Sequence, residues 1–189
     1  MNFEVVQVIR TKDILDEKDK RLRQRSTEVT FPLENRYKKF IDDAIEMLTL
    51  SQIDEEAEKY DLRPGTGLSA VQVGLLKRIF VIVYEYEEGK FDNYVFINPK
   101  IISQSQEMVY IDGGEGCLSV NRDVEGIVPR YARLKVEYYD ENGNKHQMRL
   151  REDLSVIFQH EYDHLEGILF PDKINRSNPY KNQNNMRAL

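Results

Sequence analysis

The chain has 189 residues, which is enough for one domain with a substantial core and too few for two full-sized domains. Its 27 Lys and Arg residues are outnumbered by 33 Asp and Glu residues, so the formal net charge is -6. That balance disfavours a protein whose main task is to bind nucleic-acid phosphates, and we expect no direct binding to DNA. The longest apolar run, residues 79–84, is far shorter than the roughly 20 residues of a membrane-spanning helix, so we expect no membrane association.

The first ten residues lack the basic start and the small-residue cleavage site of a secretory signal. Cys117 is the only cysteine, so no internal disulfide calls for an oxidising compartment. Together these features predict a cytoplasmic protein.

The first predicted helix covers residues 34–53, because apolar side chains recur there with the i, i+3, i+4 spacing of an amphipathic helix. The acidic residues 54–58 that follow predict a solvated helix end or a loop. Residues 63–67 contain proline and glycine and predict a turn.

Strands are predicted for the middle of the chain. Residues 78–86 and 93–98 are rich in β-branched and aromatic residues, and residues 100–111 form a weaker third candidate. Residues 133–140 and 145–151 flank an Asn-Gly turn sequence, which predicts an antiparallel hairpin.

The last predicted helix covers residues 154–166, with Asp153 as its N-terminal cap and Gly167 at its end. Beyond it, residues 173–189 form a tail with four basic residues and no acidic ones. No internal repeat or linker is evident, strands occupy the middle, and helices lie near each end. Residues 1–189 therefore predict a single α+β domain.

The last helix carries the sequence HEYDH at residues 160–164, which is an HExxH pattern. On a helical wheel both histidines share one arc with Glu161 and Ile157, while Ser155 and Gln159 lie on the opposite arc. The histidines are therefore expected to face the core. Two imidazoles one turn apart can hold one metal ion, and the adjacent glutamate can act as a general base. The alternative is a helix whose two histidines are satisfied by polar neighbours, although burying unpaired imidazoles is costly.

A catalytic site of this kind needs a third protein ligand. Downstream, only Glu166 and Asp172 are available, and neither is well placed. Upstream, Cys117 follows Gly116, which lets the backbone approach a ligand closely. A lone cysteine is often only a small buried apolar side chain. Together with two histidines, however, one thiolate would leave a divalent ion with a net positive charge, which acidifies a bound water molecule. Fe(II), zinc and cobalt all suit a ligand set of one cysteine and two histidines.

Three motifs occur in a fixed order along the chain, namely GTGLSAVQ at residues 65–72, EGCLS at 115–119 and QHEYDHL at 159–165. Together they resemble the three signature motifs of the peptide deformylase family, and the similarity extends over most of the chain. The long segment before the first motif resembles the subgroup best known from Gram-positive-type bacteria. The resemblance implies mixed and antiparallel β-sheets packed around a central α-helix that bears the HExxH sequence.

The activity that the resemblance implies is hydrolysis of the N-terminal formyl group from the formyl-methionine of nascent polypeptides, with release of formate. Cys117, His160 and His164 would bind one divalent metal ion, natively Fe(2+), for which Zn(2+), Ni(2+) or Co(2+) could substitute. Water would fill the fourth position. Glu161 would take a proton from that water and later deliver it to the leaving amine.

Two further groups would stabilise the oxyanion that forms during hydrolysis, namely the side-chain amide of Gln72 and the backbone N–H of Leu118. The resemblance also implies a set of substrate-binding residues. Backbone hydrogen bonds to the peptide and a pocket for the methionine side chain would come from Gly67, Gly116, Arg130, Val156 and Ile157.

The first motif departs from the family pattern at three positions. Thr66 replaces the usual apolar residue, Ser69 replaces the first of two alanines, and Val71 stands where proline is frequent. Serine in place of alanine adds a hydroxyl that must find a hydrogen-bond partner.

Two other kinds of metal site are weaker alternatives. An HExxH metallopeptidase is disfavoured because no third ligand follows the helix and the Cys117 motif would be unexplained. A structural site would need four protein ligands, and the remaining histidine, His146, is expected to be an exposed strand residue.

The basic tail at 173–189 predicts either transient contact with the ribosome or a solvated, partly disordered chain end.

Overall fold

The computed structural model describes residues 9–189, which form two β-sheets and three α-helices joined by loops and short 3-10 helices. The expectation about a secretory signal rests mostly on residues 1–8, which lie outside this range. The helices are α1 (Asn35–Ser51), α2 (Asp54–Tyr60) and α3 (Glu152–Leu165). The strands are β1 (Gly67–Ser69), β2 (Ile79–Glu87), β3 (Lys90–Gln104), β4 (Met108–Tyr110), β5 (Arg130–Tyr131), β6 (Arg133–Tyr139), β7 (Lys145–Arg151) and β8 (Arg187–Ala188).

The larger sheet has the strand order β1-β2-β3-β6-β7, and all of its neighbouring strands are antiparallel. The smaller sheet has the order β5-β4-β8, in which β4 pairs antiparallel with β5 and parallel with β8. The prediction of mixed and antiparallel sheets in one α+β domain is therefore confirmed.

Helix α1 forms as its apolar periodicity predicts, and its buried face packs against the larger sheet. The acidic segment after it is a second helix, α2, with no buried residue, whereas the sequence predicted only a solvated helix end or a loop. Asp54, Glu55 and Glu56 occupy its first turn, where the positive end of the helix dipole favours acidic side chains. Asp61 ends the helix in the left-handed conformation.

Strand β3 is longer than the sequence predicted, since it joins the expected strand at 93–98 to the first part of the one expected at 100–111. Its first half pairs with β2 and its second half with β6. The register shifts between Ile97 and Lys100, on either side of Pro99. Proline is tolerated at such an irregularity because it has no N–H to donate to a ladder, so Pro99 does not end the strand.

The predicted hairpin is present as β6 and β7, and residues 140–144 connect the two strands. His146 lies on β7, 43% of its side-chain surface is exposed, and its Nε2 contacts Asp140 at 2.9 Å. The third histidine is thus an exposed strand residue, as expected, and it pairs with a surface carboxylate.

Helix α3 lies centrally and contacts strands of both sheets. It begins two residues earlier than predicted, with Arg151 rather than Asp153 at the N-cap position, and Gly167 follows its end at φ 75°. Ser155 and Gln159, on the arc opposite the histidines, are also buried, because both bond to the backbone of Tyr131 on β5. The helix is therefore enclosed on its polar side as well as on its apolar side.

The basic tail folds back onto the domain. Lys173 pairs with Asp163 of α3, and Arg187 on β8 pairs with Glu107 and Glu152. Within residues 9–189, no helix combines the length and apolarity needed to cross a membrane.

Candidate metal centre

Helix α3 brings its two histidines to the same place as the chain's only cysteine. The ring centroids of His160 and His164 lie 5.2 Å apart, one turn apart on the helix. Sγ of Cys117 lies 3.4 Å from Nε2 of His164. One ligand atom from each of the three residues falls within 4.8 Å of the others. The cysteine upstream of α3 thus lies where it could provide the third ligand that the helix itself lacks.

The chemistry of these donors fits a divalent transition metal. Burial acts to raise the pKa of the Cys117 thiol, but the adjacent imidazoles of His164 and His160 bring it well below its ordinary value. The thiolate is the form of cysteine that binds metals. Nδ1 of His160 contacts Glu115 at 2.8 Å, so this imidazole is oriented with Nε2 available for a metal. Two imidazoles and one thiolate match a catalytic set of three protein ligands.

A buried ion-pair network orients His160 from behind. Arg130 is 1% exposed, and its guanidinium bonds both carboxylate oxygens of Glu115 and one oxygen of Asp163. Burial alone would raise the pKa of Glu115, but Arg130 and His160 lower it to about 2. Glu115 therefore stays ionised and holds the His160 ring in place.

Glu161 is a buried carboxylate of α3 that follows His160 directly, and 3% of its surface is exposed. Burial raises the pKa of its carboxyl above the ordinary value, although the two histidines act in the opposite direction. Its side chain packs against β1, where a Cβ atom on Gly67 would lie 2.4 Å from Oε1 of Glu161. Only glycine leaves room at position 67 for the glutamate in this place.

The amide group of Gln72 has a defined orientation beside the cysteine. Its Oε1 accepts a hydrogen bond from the backbone N–H of Ser69 at 2.8 Å, so Nε2 faces the opposite way. Nε2 donates to Oγ of Ser119 at 3.1 Å and lies 3.8 Å from Sγ of Cys117. A hydrogen-bond donor is thus held next to the metal ligands.

The candidate metal centre opens into a cavity of about 520 Å³. Most of the residues expected at the site line it, namely Gly67, Gln72, Gly116, Cys117, Leu118, Val156, Ile157, His160 and Glu161. His164 does not line the cavity and is 1% exposed, but its Nε2 contacts Sγ of Cys117, which does line it. Arg130, expected to shape the methionine pocket, does not line the cavity and acts on it through Glu115.

Sequence reasoning did not find two of the residues that hold the site together. Glu115 lies within the second motif, but its contact with His160 spans 45 residues of sequence. Arg63 donates to the backbone oxygens of Cys117 and Leu118 and so ties the turn before β1 to the cysteine loop. The one available sequence signal for Glu115 was that it is an acidic residue two positions before the candidate ligand Cys117. Histidine ligands usually bond a carboxylate.

Amide hydrolysis requires an activated water molecule and a base beside it, and this centre can provide both. By class, the chain is a metal-dependent hydrolase. The family model described as polypeptide deformylase matches residues 11–180. The chain belongs to the peptide deformylase family.

Individual relatives agree with this assignment. The chain is 45% identical to a peptide deformylase of Levilactobacillus brevis over 93% of its own length and 96% of the relative's. It is 45% identical to one from Listeria monocytogenes over 88% of its own length and 91% of the relative's. Its fold is similar to that of a peptide deformylase from Plasmodium falciparum in a crystal structure. The TM-score is 0.69, the two sequences are 37% identical, and 87% of each chain is covered.

Proposed function

We propose that Glu161, Gln72 and Leu118 hydrolyse the N-formyl group of formyl-methionyl peptides at a divalent metal bound by Cys117, His160 and His164. The observation that carries this proposal is that Glu161 and Gln72 line the same cavity as Cys117 and His160. These are two of the three residues whose donor atoms cluster. A base and an oxyanion donor beside a metal are the groups that amide hydrolysis uses. The products are formate and a peptide with a free amino terminus.

A bound divalent ion supplies an activated water molecule and a positive charge at this centre. Glu161 accepts a proton there and delivers it to the nitrogen of the leaving peptide. Burial raises the pKa of this carboxyl, which makes the carboxylate a better proton acceptor. Nε2 of Gln72 and the backbone N–H of Leu118 donate to the oxygen that becomes negative.

We assign the methionine side chain of the substrate to the apolar part of the cavity beside Val156 and Ile157. Gly67 and Gly116 both line the cavity, where they would present backbone groups to the peptide. No side chain occupies the space above Gly116, since a Cβ atom there would meet nothing within 4 Å. This open stretch gives an extended peptide access to the backbone.

We further propose that the native ion is Fe(2+), with zinc, nickel or cobalt as possible substitutes, because a thiolate with two imidazoles accepts all of these metals. Enzyme loaded with Fe(2+) is expected to lose activity faster in air than under argon, through oxidation of the iron or of Cys117. Nickel-loaded enzyme is the control and should be less affected. Equal half-lives of the iron form in air and under argon would contradict the iron assignment.

The proposed reaction is tested by formate release from a formyl-Met-Ala-Ser tripeptide, with protein prepared without oxygen and supplied with Fe(2+). We expect formate in step with the free amino terminus, and loss of both after treatment with a chelator. The control substrate is the acetylated tripeptide, which should release little acid. Cleavage of an internal peptide bond without formate would instead indicate a metallopeptidase.

A cytoplasmic location is part of the proposal, because formylated nascent chains emerge there. Contact between the tail and the ribosome stays a prediction. Of the tail's four basic residues, Lys173 and Arg187 already pair with carboxylates of the domain. Arg176 and Lys181 are the two tail cations that such a contact would use.

A further inference from the structure

Ser69 contacts two of the groups that the proposed reaction uses. It is the last residue of β1, and none of its surface is exposed. Its hydroxyl oxygen lies 2.7 Å from Oε2 of Glu161 and 3.0 Å from the backbone oxygen of the same residue. Its backbone N–H donates to Oε1 of Gln72. This serine is one of the three departures from the family pattern in the first motif.

The neighbouring residues of β1 enclose the Glu161 carboxylate from two sides. Residues two apart on a strand point to the same face of the sheet, so Gly67 and Ser69 both face α3. Oε1 of Glu161 packs above the Cα of Gly67, and Oε2 faces the hydroxyl of Ser69. Rotation of the carboxylate would break the bond to Ser69 or press an oxygen against the backbone of Gly67.

We infer that Ser69 is a positioning residue, whose hydroxyl fixes the Glu161 carboxylate for proton transfer while its backbone N–H fixes the Gln72 amide. The inference rests on the proposed role of Glu161. A serine hydroxyl has one donor and two acceptor sites. It can donate to the ionised carboxylate. When Glu161 carries the proton, Ser69 can accept from it and donate to the backbone oxygen, so the contact persists on both sides of the transfer.

The test begins with Ser69→Ala in the metal-loaded enzyme. Loss of a hydrogen bond to a charged group is expected to lower kcat about tenfold, with little change in KM for the formyl peptide. The matched control is Ser155→Ala, which removes an equally buried hydroxyl from α3 that bonds the backbone of Tyr131 and not the cavity. The control should lose comparable thermal stability and keep the wild-type kcat.

A double-mutant cycle separates positioning from general loss of packing. If Ser69 acts through Glu161, Ser69→Ala should lower kcat by less than about twofold in the Glu161→Ala background. A similar tenfold loss in both backgrounds would overturn the inference. The crystal structure of the Ser69→Ala variant gives a readout that does not depend on activity, since the Glu161 carboxylate is expected to rotate or to become disordered.

The outcomes distinguish this inference from the proposed function. If the wild type releases no formate, or Glu161→Ala keeps full kcat, the proposed role of Glu161 fails and the inference fails with it. If Glu161→Ala is inactive but Ser69→Ala retains wild-type kcat and an unmoved carboxylate, only the inference is overturned.

Discussion

Replacing Glu161 with alanine should lower kcat by about 100- to 10,000-fold, the range that a positioned general acid or base contributes. The variant should still bind one metal ion, because Glu161 is not among the three donor residues. Formate release under single-turnover conditions, together with metal analysis of the same sample, measures both effects.

Glu161→Gln sharpens this experiment, because glutamine keeps the shape of the side chain and can still contact Ser69 but cannot accept the proton. It should be as inactive as the alanine variant. Glu152→Gln makes the same chemical change at the exposed start of α3 and should retain the wild-type kcat. Loss of the metal in either Glu161 variant would contradict the assignment of Glu161 as a base.

Replacing Arg130 with methionine should give the largest loss of stability among single changes around the site. Glu115 and Asp163 would lose their buried cation, and breaking a buried ion pair from one side typically costs about 3–5 kcal/mol. For a chain of this size, such a loss lowers Tm by about 6–20 °C. Because Glu115 orients His160, metal affinity should also fall by about 10- to 100-fold.

Arg133→Met is the matched control for this change. Arg133 pairs with Glu107 at the surface, and its side chain is 46% exposed. An exposed ion pair contributes only about 0–1 kcal/mol, so the control should unfold close to the wild-type temperature and keep its metal. Calorimetry and competition with a metal chelator measure the two quantities. Similar melting temperatures for both variants would show that the buried network is not required for stability.

Local patterns were sufficient to predict the elements whose formation depends on nearby residues. The apolar periodicity of α1 and the Asn-Gly turn between β6 and β7 each define an element within a short stretch of sequence. Strand β3 could not be predicted in the same way, because Pro99 is permitted only where the strand changes partners from β2 to β6. The change of pairing partner depends on the positions of β2 and β6 in the sheet, and not on the residues next to Pro99.

The same distinction holds for the site. The spacing of the HExxH sequence predicts two ligands on one helical face, and the need for a third ligand, together with the resemblance, predicts Cys117. The role of Arg130 could not be read from sequence, since its partners Glu115 and Asp163 lie 15 and 33 residues away. Ser69 and Glu161 are 92 residues apart, so only the packing of β1 against α3 brings them into contact.

The separation of the metal ligands along the chain has a consequence for the order of assembly. Cys117 and His164 are 47 residues apart, and β5 of the smaller sheet and the whole β6–β7 hairpin lie between them. An unfolded chain must close that long loop before the thiolate meets the imidazoles, which costs conformational entropy. Helix α3 alone would offer an ion only two donors, which bind it more weakly than three. We therefore expect the three donor residues to come together only after the helix and the sheets have met.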